Sequence, residues 1–187
     1  MLGLLIAGLI ISTSAQARGS SPGPDLMVQW KGDAFPATLP ANVGGDTVPE
    51  GSECFKVTMT NPNTGFEIGN GYDCITNLGS FVDTGEGTIT TRYIFVFTDG
   101  SSIVTENRVI AKQVEDNDPL NPIPAGGESA NGNSTHSIGG FPSNNTIIDG
   151  FQRFSKASGR VTVFGAPNLS FLPGKIVFDH LFLVEFN

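Results

Sequence analysis

Apolar residues recur at every second position along most of this chain. Phe55, Val57 and Met59 alternate with Lys56, Thr58 and Thr60. Residues 88–97 are rich in Thr, Ile, Val, Tyr and Phe; an Asp99-Gly100 turn and residues 103–114 follow. Residues 160–164 and 175–186 close the chain. A period of two is the signature of strands, and no sustained run with period 3.6 is present. Short strands separated by Gly-rich turns predict an all-β sandwich or barrel. The last strand is the most informative. One face carries Ile176, Phe178, His180, Phe182, Val184 and Phe186; the other carries Lys175, Val177, Asp179, Leu181, Leu183 and Glu185. The first face must be interior, which places His180 among phenylalanines. Tyr93, Phe95 and Phe97 likewise share a face, with Ile94 and Val96 on the other. Strands apolar on both sides need cover on both sides. In a barrel without helices, a neighbouring subunit is the simplest cover, so a homo-oligomer is expected.

Three segments depart from this rhythm. Residues 2–11 (LGLLIAGLII) are uncharged and too short to span a bilayer, and Ala15-Gln16-Ala17 is a small-x-small cleavage site. Residues 1–17 therefore read as a signal peptide, and the mature protein as secreted, extracellular or periplasmic. Residues 18–52 form a Pro/Gly-rich arm with one short apolar patch at Leu26, Met27, Val28, Gln29 and Trp30. The barrel domain is assigned to residues 53–187, interrupted by a long polar loop at 115–145. A loop of that length is either a functional lid or a disordered excursion.

Composition narrows the function. The chain has 187 residues, 24 of them Gly and 12 Pro, with a formal net charge of -8. That balance argues against nucleic-acid or anionic-membrane partners, which need dense basic surface. Of the aromatics 14 are Phe, with two Tyr and one Trp, so they mainly supply apolar surface. In an exported chain, Cys54 and Cys74 suggest one disulfide. The turn signal NPNTG at residues 61–65 supports this, because pairing its flanks about Thr64 sets the two cysteines opposite each other.

Several residues are chemical candidates. His180 in an aromatic lumen offers an acid, a base or a polar anchor, set against a neutral, hydrogen-bonded core histidine. Tyr93 can orient a ligand oxygen, or simply pack its ring and send its hydroxyl to the rim. Its cross-strand partner depends on the Asp99-Gly100 turn. A two-residue loop sets Glu106 opposite Tyr93; a three-residue loop sets Asn107 there and turns Glu106 and Arg108 outward. The second is preferred because it keeps Glu106, Arg108 and Lys112 out of the core. Phe95, Phe97, Asn107, Phe178 and Phe182 complete the expected ligand-binding lining, with His180 and Tyr93 as the catalytic candidates. Glu115, Asp116, Asn117 and Asp118 offer oxygen ligands for calcium, but the full EF-hand spacing is absent and no metal site is assigned. His136 lies in the long loop, apart from His180. Gly19-Ser20-Ser21-Pro22-Gly23 matches G-x-S-x-G formally but lacks a preceding strand and a following helix, which rejects a hydrolase. Asn133, Asn144 and Asn168 begin N-x-S/T sequons, relevant only in a eukaryotic secretory route.

Longer stretches resemble the allene oxide cyclase barrel-like group, which includes the dirigent proteins. These are TGFEIGNGYDCIT at residues 64–76, YIFVFTDGSSIVTE at 93–106 and NNTIIDGFQRFSKASGRVTVFGAPNLS at 144–170. The last departs from the group's GGTGxFxxAxGxV pattern, with Asp149-Gly150-Phe151-Gln152 in place of Gly-Gly-Thr-Gly. The resemblance implies an eight-stranded antiparallel, calycin-type barrel, often trimeric, with an apolar cavity and no organic cofactor. Three functions are open. One is a cofactor-independent cyclase or isomerase acting on a small apolar molecule; the others are a non-catalytic ligand-binding barrel and a structural or surface assembly subunit.

Overall fold

The computed structural model describes residues 24–41, 43, 48–76, 78, 86–115, 133–138, 145–165, 167–169 and 171–187. Among them the strands are β1 (Leu26–Pro36), β2 (Glu53–Thr60), β3 (Glu67–Thr76), β4 (Glu86–Phe97), β5 (Ser102–Glu115), β6 (Asn133–Ile138), β7 (Asn145–Phe151), β8 (Gly159–Phe164) and β9 (Ile176–Phe186). A single 3-10 turn, Gln152–Phe154, interrupts the β structure after β7. Eight strands close into an antiparallel barrel in the order β1-β2-β3-β4-β5-β7-β8-β9, with β9 returning to β1. The ninth strand, β6, continues the edge of β5 above β7. The expected leader and the G-x-S-x-G match lie outside the described residues, as do Asn144 and Asp116, Asn117 and Asp118.

The strand in the lead-in arm is a stave of the barrel. β1 pairs with β9 from Leu26↔Val184 to Ala34↔Ile176, so closure joins opposite ends of the chain. The barrel thus begins well before residue 53. Two polar clasps reinforce the closure: Asp25 Oδ2 accepts from the Phe186 amide at 2.8 Å, and Lys175 Nζ donates to Asp33 Oδ2 at 2.9 Å.

The β2–β3 hairpin pairs about Thr64, with Cys54 directly opposite Cys74 and the two joined as a disulfide. Its turn is held by Gly65 N–H to the Asn61 carbonyl at 2.7 Å and by Asn63 N–H to the Asn61 side chain at 2.9 Å. These are the self-capping bonds that Asn favours in turns.

The barrel has two dissimilar ends. At one end the connections are short: residues 61–66, 98–101 and 152–158. At the other, longer connections run through residues 37–52, 77–85 and 165–175 and through the β5–β7 segment containing β6. The short end carries an aromatic floor. Phe154 stacks on Phe186 with centroids 5.6 Å apart and meets Phe97 at 5.3 Å. The Arg153 guanidinium lies over Phe97 and Phe154 and pairs with Asp99 at 3.1 Å.

Cover for the outer wall also comes from the chain itself. Tyr72, Cys74, Ile94 and Val104 point away from the lumen but are buried under Val43, with Ala37, Leu39 and Val48 packed alongside. The β1–β2 connection therefore does for β4 what a neighbouring subunit was expected to do. On β9, outward Leu181 and Leu183 are half-buried, while neighbouring Phe164 on β8 is 52 % exposed.

Candidate functional site

The inward face of β9 is the one its alternation predicts: Ile176, Phe178, His180, Phe182 and Val184 all belong to the buried set. Trp30, opposite His180 across the β1–β9 ladder, fills the centre of the lumen. Its ring meets Tyr93, Phe95, Phe178 and Phe182 at centroid separations of 5.5, 5.2, 5.6 and 4.6 Å. Room for the indole comes from Gly71 on β3, where any Cβ would collide with the Trp30 ring. Phe95, Phe178 and Phe182 thus line the lumen as expected, whereas Phe97 belongs to the floor, packed on Phe154.

Within this aromatic interior runs a belt of polar side chains. Its centre is Tyr93 on β4, 6.4 Å from His180 between ring centroids. The β4–β5 turn settles what stands beside it. Phe97 N–H donates to the Ser101 carbonyl at 2.9 Å, leaving Thr98, Asp99 and Gly100 as a three-residue loop, with Gly100 at φ +81°. That arrangement suits a three-residue hairpin ending in a left-handed glycine. Glu106 and Arg108 accordingly face outward, Glu106 forming an ion pair with Arg92. The loop is centred one residue earlier than expected, however, so Thr105, not Asn107, stands directly opposite Tyr93. Asn107 faces Thr91 instead, on the same inner wall, one diagonal step from Tyr93.

The belt also contains residues that the sequence pattern did not single out. Asp73 on β3 is directly opposite Tyr93 and only 3 % exposed. Burial pushes its carboxyl up to about 7, although the Thr91 hydroxyl donates to Oδ1 and favours the charged form. Tyr93 is driven far above the ordinary phenol range, first by burial and then by the Asp73 carboxylate. Burial pushes His180 down to about 3, so its imidazole is neutral at physiological pH. Asn145, the first residue of β7, is fully buried, and its neighbour Thr146 pairs with Glu106, next to Asn107. Alternation could have flagged Asp73, since it shares parity with Gly69, Gly71 and Ile75. The two glycines leave that face blank, so its polarity pattern was unreadable.

Several polar atoms of this belt have no hydrogen-bond partner: Trp30 Nε1, Asn107 Nδ2, both amide atoms of Asn145 and both ring nitrogens of His180. An unpaired buried polar group costs about 1–3 kcal/mol.

The remaining candidates fall elsewhere. His136 lies on β6 at the register position of Lys112, away from His180. Glu115 is the last residue of β5, opposite Asn133 on β6. No His/Cys/Asp/Glu group suited to a metal occurs among the described residues. Asn168 is fully buried, which closes its sequon in the folded chain. No helix among the described residues is long and apolar enough to cross a membrane. Together these features define a closed antiparallel barrel with an aromatic lumen and a polar belt across it. In comparison with known proteins, the chain matches no family model, no curated protein and no solved structure.

Proposed function

We propose that this protein is a secreted barrel that binds a small, mostly apolar molecule in its lumen. The observation that carries this reading is the set of unpartnered polar atoms on Trp30, Asn107, Asn145 and His180 within an aromatic interior. Ligand sites combine such apolar walls with a few convergent polar groups. The Cys54–Cys74 disulfide supports an oxidising compartment. The resemblance to the allene oxide cyclase barrel-like group gains support from Gln152, which stands at the last glycine of that group's turn pattern. It adopts φ +54°, a conformation that glycine enters without strain. Native mass spectrometry of protein purified under mild conditions is expected to show a small-molecule adduct that Asn145→Leu loses. A bare barrel whose Trp30 fluorescence answers no apolar compound would overturn the reading.

A second reading, a cofactor-independent isomerase or cyclase, is favoured by Asp73 facing Tyr93. An acid that titrates near neutrality beside a phenol can both accept and return a proton. Turnover and affinity separate the two. Asp73→Asn and Tyr93→Phe should lower kcat with little change in affinity if the barrel is an enzyme, and should change affinity alone if it is a carrier.

A further inference from the structure

The unpartnered atoms also have a sign. Neutral donors predominate: Trp30 Nε1, Asn107 Nδ2 and Asn145 Nδ2 are N–H groups, and neutral His180 adds one more. The acceptors without partners are Asn145 Oδ1 and the second His180 nitrogen. No lysine or arginine is buried in the lumen among the described residues, and Asp73 is its one carboxyl. A ligand carboxylate or phosphate would meet no counter-charge there and would lie close to that acid, at a steep desolvation cost. A ligand ammonium could pair with Asp73 but would leave the surplus N–H donors unsatisfied.

Resting on the lumen-binding reading above, we infer that the belt selects uncharged ligands whose buried polar end is an oxygen acceptor, such as a ketone or lactone. The oxygen would take N–H bonds from Asn107, Asn145 and the Trp30 indole. The apolar body would lie among Phe178, Phe182 and Phe95 in space that the Trp30 indole now fills, so binding requires the indole to move aside.

Three probes with one body and different head groups test this: 2-acetylnaphthalene (neutral ketone), 2-naphthoate (anion) and 2-naphthylmethylammonium (cation). Trp30 is the single tryptophan of the chain, so its quenching reports on the lumen itself. The ketone is expected to bind the full-length protein more tightly than either ion by about tenfold or more, roughly the contribution of one well-made hydrogen bond to an otherwise unpaired donor. Asn145→Leu and Asn107→Leu, with melting checked by circular dichroism, should erase that preference. Phe178→Leu should weaken all three probes alike and leave the preference intact. Equal or tighter binding of the anion or the cation would overturn the inference while leaving lumen binding standing. If none of the probes quenches Trp30, both the inference and the lumen-binding reading fall.

Discussion

At the floor of the barrel, Arg153 is held by the Asp99 carboxylate and by the faces of Phe97 and Phe154. At mid-lumen, Asn145 is fully buried with neither end of its amide bonded. Both regions mix aromatic rings with polar groups, and β4 contributes to both, with Phe97 in one and Tyr93 in the other. They differ in whether the polar groups are satisfied. The floor closes the lumen with a charge left partly in water and paired at the surface. The belt keeps buried polar atoms without a protein hydrogen-bond partner. Groups of the first kind stabilise a fold; groups of the second kind weaken it unless a partner reaches them.

Substitutions can break this contrast, beginning with the ring at the centre of the lumen. Trp30→Ala should cost about 3–5 kcal/mol, since a fully buried indole leaves a cavity that the surrounding rings cannot fill. Urea unfolding followed by circular dichroism measures it; a loss below 1 kcal/mol, on the order of a surface substitution, would mean that the lumen is not packed around Trp30.

Asp73→Asn should act in the opposite direction and only at higher pH. The folded-state pKa of Asp73 is raised to about 7 from the ordinary 3.8, so its neutral form is the stabilised one. The contribution is therefore complete below pH 4 and is lost as pH rises through about 7. His180 has the opposite slope: with a folded pKa of about 3, its contribution is complete above 6.5 and is lost as pH falls towards 3. Removing the acid should thus stabilise the barrel at pH 8 by on the order of 3 kcal/mol and change little at pH 4. Denaturation at the two pH values decides it, and an equal effect at both would show that Asp73 is not titrating in the lumen.

Asn145→Leu should raise stability by about 1 kcal/mol, because it removes unpaired polar atoms at similar volume. If melting falls instead, the amide is a structural member like the floor residues. Arg153→Gln is expected to have the smallest effect, a loss of about 0.5–1 kcal/mol, since its ion pair and ring contacts are exposed to solvent. Trp30 quenching by 2-acetylnaphthalene should be unchanged in that variant.

Local pattern was enough to determine much of this protein. Alternation gave the all-β class and put His180 on the buried face of β9, and the need to keep charges out of the core turned Glu106 and Arg108 outward. The NPNTG turn placed Cys54 against Cys74. Each of these depends on the period of two within a strand or on one short hairpin, where neighbouring residues suffice. Tertiary structure decided the rest. Closure through β1 and β9 joins segments about as far apart as the chain allows, so the lead-in strand could not be recognised as a stave from its own residues. The cover over Ile94 comes from the connection around Val43, whose apolar positions follow no regular spacing. A hairpin loop centred one residue earlier moved Asn107 from opposite Tyr93 to its diagonal and set Thr105 in its place. Asp73 became a lumen acid only when β4 set Tyr93 against it. Periodicity within a strand says which residues share a face; register between strands says which of those residues meet, and that is a property of the closed barrel.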